Sequence, residues 1–316
     1  MASGKWKDLL NTAEKYHLLG NGAMVITVLF WGTSFVSIKI AVSAVPPITL
    51  ALLRFLLASF ILWLLLKKWE PSAKLERRDW LRMGVSGFLG VTLYFFLENS
   101  GIRLSTASNA ALITSVIPIL ATALDAILYK TRISAVQCAG MALAMIGSYF
   151  AITANGLVQL DSAHLTGNLF ILGAMVSWVL YTFCSKAFGS KYSGLMTTFC
   201  QNAFGTILLV PLALTEYQEW RAFPPSILLH ILFLAVFCSA GCYLLYNYAL
   251  RKLDVTATTM YLNLVPIVGV LGGHAFLQET VLPIQLAGGA VIIGGILLVN
   301  GNLHKRKQMA HADNMP

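Results

Sequence analysis

Charge is what this chain has least of: 11% of its 316 residues are Asp, Glu, Lys or Arg, where soluble domains carry about 25%. With 57% hydrophobic residues and a mean hydropathy of +0.73, there is too little polar surface to cover a water-soluble core, so the chain belongs in a bilayer. Acid is scarcer than base, giving a net charge of +9. No basic stripe with interleaved stacking aromatics lies outside the apolar segments, which excludes a nucleic-acid partner. The five cysteines (Cys138, Cys184, Cys200, Cys238 and Cys242) all sit in apolar segments and in no ligand spacing. Cys238 and Cys242 are four apart, but no second pair accompanies them, so no metal is expected. The metal-binding H-E-x-x-H, the Walker loop and the dinucleotide fingerprint are all missing, so no cofactor and no use of ATP are expected. The first twenty residues lack the pattern of a cleavable signal. Trp6, Leu9, Leu10, Ala13 and Tyr16 recur there near helical spacing among lysines, the pattern of a short amphipathic helix on the membrane surface.

What is present is a series of apolar runs. A membrane-crossing helix needs about 20 mostly apolar residues. Ten such spans are predicted: 20–42, 47–67, 81–103, 106–129, 134–154, 166–187, 193–214, 226–250, 255–277 and 282–303. The expected fold class is an all-α integral membrane protein. Lys and Arg fall in alternate loops, 18 of the 22 on one side, with Arg103 and Arg221 on the other and Lys39 and Arg54 inside spans. Cytoplasmic loops collect such residues, so both termini are expected in the cytoplasm of a multi-pass protein of the cell's inner or plasma membrane.

The second half repeats the first. Trp31 and Lys39 meet Trp178 and Lys186 at an offset of 147 residues, and Arg54 meets Gln201. Asn99, Pro118 and Gly147 meet Asn247, Pro266 and Gly295 at 148. Spans 1–5 thus recur as spans 6–10, and because five is odd the second copy must insert upside down. The expected organisation is an N-terminal segment 1–19, a first repeat 20–154, a linker 155–165, a second repeat 166–303 and a tail 304–316. Inverted repeats place a substrate site near the midplane, with alternating access by exchange of roles between the halves. Pro118 and Pro266 sit mid-span at matching places and are candidate hinges. Small residues crowd spans 5 and 10, which suits packing inside each half or a homo-oligomer; the sequence leaves both open.

Trp31-Gly32-Thr33-Ser34-Phe35 with Lys39, then Pro46-Pro47 and Arg54-Phe55, resemble the EamA family of the drug/metabolite transporter superfamily. So do Asn109 to Pro118 in span 4, Thr258 to Pro266 in span 9, and Phe276-Leu277-Gln278-Glu279 before the last span. The resemblance covers roughly residues 20–303 and implies ten helices in two inverted halves, with export of amino acids, related metabolites or drugs. Where the first copy of the acidic turn would stand, the chain has Tyr129-Lys130-Thr131-Arg132, without an acid.

Ionisable groups at membrane depth cost several kcal/mol and mark function or a buried pair. At 1.5 Å per residue Arg54 lies about 10 Å, and Glu98 about 8 Å, below the outer surface. An Arg54–Glu98 pair is expected, with Arg54 or Lys39 attracting a substrate carboxylate and Glu98 neutralising it or taking a proton; Lys39 also suits snorkelling to the interface. Asp125 is expected to pair with Lys130 or Arg132, and Glu279 to be structural at the outer mouth. The candidate pocket adds Trp31, Trp178, Tyr94, Tyr243, Tyr181, Tyr246, Asn99, Asn247 and Gln201. So many rings suit aromatic or amphipathic solutes, or cations through the ring faces. Gly84-Val85-Ser86-Gly87 resembles the serine motif of intramembrane rhomboid proteases, but Ser86 lies at the opposite membrane face from His230 and His274, so no enzyme is expected. The partners expected are the bilayer and a small-molecule substrate, which is carried or, alternatively, only bound as by a receptor.

Overall fold

The computed structural model describes residues 2–130, 134–153, 163–189, 191–253, 255–291, 293–295 and 298; for residues 2–17 it describes the backbone alone. Among these residues every regular element is helical. In chain order they are α1 (Ala2–Ala41), α2 (Pro47–Trp69), α3 (Arg77–Leu104), α4 (residues 107–129), α5 (Ala135–Thr153), α6 (Ala163–Ala187), α7 (Gly194–Leu214), α8 (Pro225–Lys252), α9 (residues 255–277) and α10 (Pro283–Gly295). Seven contain stretches long and apolar enough to cross a membrane: α1 from Leu18, α2, α3, α4 to Leu128, α6 from His164, α7 and α8. The expected spans at 134–154, 255–277 and 282–303 fall outside those seven, although their described residues are mostly helical. The amphipathic side-chain pattern before residue 18, Thr131, Arg132, most of the linker and the tail 304–316 lie outside the described residues.

Local chemistry explains where these helices start. Pro47 opens α2 at a position whose N–H would have no helical partner. The free amides of Ile48 and Thr49 behind it donate to the Glu216 carboxylate at 3.0 and 2.7 Å. Thr106 caps α4 by accepting from the Asn109 amide at 3.0 Å, and Ser193 caps α7 through Met196 at 2.9 Å. Ser193 also donates its hydroxyl to Glu70.

Four helices are irregular, at matching places in the two halves. α3 winds as a π-helix over Phe88–Leu93 and α8 does so over Leu234–Gly241. α4 and α9 tighten into 3-10 turns at Thr114–Val116 and Leu262–Leu264, 148 residues apart. Each turn is followed at once by an α-helix with its proline, Pro118 or Pro266, in the first turn, where the missing N–H costs little. α4 and α9 also end alike, in the left-handed residues Lys130 and Gln278, both with φ 53°.

The core forms where α1, α3, α6 and α8 meet. α3 packs along α6, and α1 along α8 and α9. α2 and α7 pack together on one side, with Ser59 and Thr206 hydrogen-bonded at 3.2 Å across a sequence separation of 147. Lipid is as apolar as leucine, so close fit and interhelical hydrogen bonds of about 0.6 kcal/mol each carry this association.

Candidate functional site

Between the helices lies a narrow cavity of about 40 Å³. Trp31, Trp178, Tyr94, Tyr243, Phe35 and Phe95 wall it, and Ser34, Arg54, Glu98 and Thr114 supply its polar groups. Trp31 and Trp178, equivalent in the repeat, meet edge to face with ring centroids 5.1 Å apart.

The π-helical stretches hold two of the rings. A π-turn frees carbonyls from the regular ladder. The Trp31 indole donates to the Cys238 carbonyl at 3.1 Å, and the Tyr243 hydroxyl to the Gly90 carbonyl at 2.6 Å. Gly90 itself must lack a side chain, because a Cβ there would lie 2.3 Å from the Tyr181 ring.

Arg54 is 1% exposed. Its Nε donates to Ser239 Oγ at 2.8 Å, and its guanidinium carbon lies 4.5 Å from the Phe95 ring centre. Nη1 has no hydrogen-bond partner among the described residues. A buried cation with a spare donor on a cavity wall can donate to an acceptor that enters the cavity. Glu98, 4% exposed, accepts the Tyr94 hydroxyl at 2.6 Å. The expected Arg54–Glu98 ion pair does not form among the described residues. Tyr94, one turn before Glu98, occupies its carboxylate, while Ser239 and the Phe95 face hold the guanidinium. Both charges still line one cavity.

The other expected residues lie elsewhere. Lys39 does not line the cavity: its ammonium donates to the carbonyls of Ile102 (2.9 Å), Arg103 (3.4 Å) and Ser105 at the end of α3. Lys186 does the same for Leu250 and Leu253 (2.8 Å) at the end of α8. A cation there answers the orphan carbonyls of a helix C-terminus. Gln201, Tyr181 and Asn247 form a buried network behind the cavity. Gln201 donates to Ser86 (2.7 Å) and Ser185 (2.6 Å) and accepts from Tyr181 (3.1 Å) and Asn247 (3.2 Å). Ser86 therefore serves packing here. Tyr246 bonds Thr182 at 2.9 Å, and Asn99 donates to the Pro47 carbonyl at 2.9 Å. Glu279 caps α4, accepting from the amides of Ala107 and Ser108. No group of three or more metal-ligating side chains occurs among the described residues. Sequence reasoning missed Ser239, Phe95 and Thr114, and took Ser34 and Phe35 only as part of the family motif. Phe95 was within reach, since it adjoins Tyr94 on the helix that carries Glu98.

The fold and the cavity define a multi-pass membrane protein with a cation and an acid buried between its helices. Its sequence matches the EamA-like transporter family model twice, over residues 18–153 and 165–301, and the chain belongs to that family. It is 29% identical over 295 residues to an uncharacterized transporter of Archaeoglobus fulgidus, covering 92% of this chain and 99% of that one. It is 28% identical to a probable terminal-alkyne amino-acid exporter of Streptantibioticus cattleyicolor, over 91% of this chain and 95% of the relative. It is 26% identical to a probable amino-acid metabolite efflux pump of Salmonella typhimurium, over 87% and 92%. A solved crystal structure shares the fold with a TM-score of 0.65 at 19% identity, covering 93% of this chain and 99% of its own.

Proposed function

We propose that this protein is a secondary transporter that exports small organic solutes by alternating access. Ten spans form two inverted five-helix halves in the cell's inner or plasma membrane, with both termini in the cytoplasm. The solutes carry a carboxylate and an apolar or aromatic body, as amino acids, related metabolites and some drugs do. The observation that carries this reading is Arg54, buried in an aromatic cavity with a spare donor. An arginine fork suits a carboxylate, and rings suit an apolar body.

The inverted arrangement is supported by equivalent residues that touch each other. Trp31 meets Trp178, Ser59 meets Thr206, and the turn Thr114–Val116 meets Leu262–Leu264. Contacts between a residue and its own repeat partner arise along a local two-fold axis. Membership of a transporter family, with relatives named as amino-acid exporters and efflux pumps, supports carriage over mere binding.

The test is uptake of labelled amino acids and aromatic cations into proteoliposomes, with and without an imposed pH gradient. Saturable uptake of carboxylate-bearing solutes is expected. Saturable binding with no net flux would replace the carrier by a receptor.

A further inference from the structure

We infer that Glu279 is a latch that holds the outer face shut, and that this carrier rests closed to the outside and open towards the cytoplasm. The inference rests on the alternating-access reading above and adds which face is shut at rest.

Glu279 belongs to the second half and the helix it caps to the first. Its carboxylate accepts from the amides of Ala107 (2.9 Å) and Ser108 (3.0 Å) and from the Ser108 hydroxyl. An anion at a helix N-terminus meets unpaired N–H groups and the positive end of the helix dipole. The turn that presents it is fixed by left-handed Gln278 and by the Glu279 amide bonding the Gly273 carbonyl at 3.2 Å.

The surface around the latch is made of glycine. A Cβ on Gly273 would lie 2.7 Å from both the Glu279 carboxylate and Ser108 Oγ. One on Gly269 would lie 2.3 Å from the Ala111 Cβ, and one on Gly32 of α1 would lie 2.4 Å from the Val268 Cβ. The outer half of α9 therefore sinks between α1 and α4 at a distance that any larger residue would prevent.

The inner face has the same plan with different residues. At the offset of 148, Gly269, Gly272 and Gly273 are replaced by Ala121, Leu124 and Asp125, and Glu279 by Thr131. At 147, Gly32 and Val36 are replaced by Val179 and Phe183. The inner face thus lacks these glycines and has no acid at the place of Glu279, its acids Asp125 and Asp254 falling instead at the places of Gly273 and Thr106. Among the described residues the outer half of α9 accordingly packs far more extensively on α1 and α4 than the inner half of α4 packs on α6 and α9. Other acids at helix starts do not share this asymmetry. Glu216 serves α2 and Glu70 serves Ser193 at the start of α7, so each face has one.

The test is hydrogen exchange of the full-length protein in nanodiscs, read by mass spectrometry for the outer segments 104–113 and 269–277 and the inner segment 117–129. Glu279→Gln and Gly273→Ala strike the latch from its two sides. Both are expected to raise exchange of the outer segments about tenfold, the scale of losing a charged helix cap, and to lower exchange of 117–129 as the inner face closes. Glu216→Gln is expected to leave the balance between the two faces unchanged. Unchanged outer exchange, or a rise outside with no fall inside, would overturn the latch, the latter reducing Glu279 to an ordinary cap. Solute flux through the parent is measured separately, so that flux without the reciprocal change refutes the latch and spares the carrier.

Discussion

Arg54 and Gln201 occupy equivalent places in the two halves and do different work. Arg54 faces the cavity with an unpaired donor, whereas Gln201 is a saturated hub. Arg54→Lys keeps the charge but loses the planar fork, the Ser239 bond and the stack on Phe95. It is expected to lower kcat/KM for carboxylate solutes at least tenfold, about 1.4 kcal/mol, while thermal stability changes little. Equal initial rates in proteoliposomes would remove Arg54 from the substrate site. Gln201→Leu is expected to do the reverse, costing about 2 kcal/mol of stability by stranding Ser86, Ser185, Tyr181 and Asn247, with KM unchanged. Melting in detergent beside flux assays checks it. Arg54 and Glu98 were legible in the sequence because charge in an apolar run is costly wherever it sits. Their partners were not, since nothing in the sequence marks Ser239, 185 residues from Arg54, among the other serines.

Among the helices, the two lysines at offset 147 show how a repeat can be legible while its meaning is not. Lys39 reads as a cation available to substrate, yet it closes the end of α3 as Lys186 closes that of α8. Its reach to carbonyls 63 residues away is tertiary and leaves no local signal. Lys39→Met is expected to lower stability by about 1 kcal/mol and to leave KM unaltered, with Lys186→Met doing the same. A raised KM in Lys39→Met alone would return it to the binding site. The π-helical stretches were equally illegible, because they need no proline and no residue type unusual for a span. In the connection between α2 and α3, the hydrogen bond from Lys191 holds the Glu76 carboxyl below its ordinary value. A depressed acid stabilises above its unfolded pKa and stops doing so as pH falls through the folded one. The melting temperature is therefore expected to drop on acidification below the usual glutamate range, and to drop less in Glu76→Gln.

For the whole molecule, the duplication was the most legible feature, because paired tryptophans, lysines, asparagines and prolines at one offset need no structure to be seen. Some residues equivalent at that offset also touch, as Ser59 does Thr206. What the glycines of α9 pack against was hidden, since their contacts with Ala111, Ser108 and Glu279 are tertiary. Counterflow tests the central claim, that these halves form a carrier, most directly. Proteoliposomes are preloaded with an unlabelled carboxylate solute, and entry of the labelled solute is followed. A carrier exposing one cavity alternately to each side takes up label transiently above equilibrium, and Arg54→Lys loses this overshoot. Entry that rises only to equilibrium whatever the preload, or binding with no entry, would contradict the account.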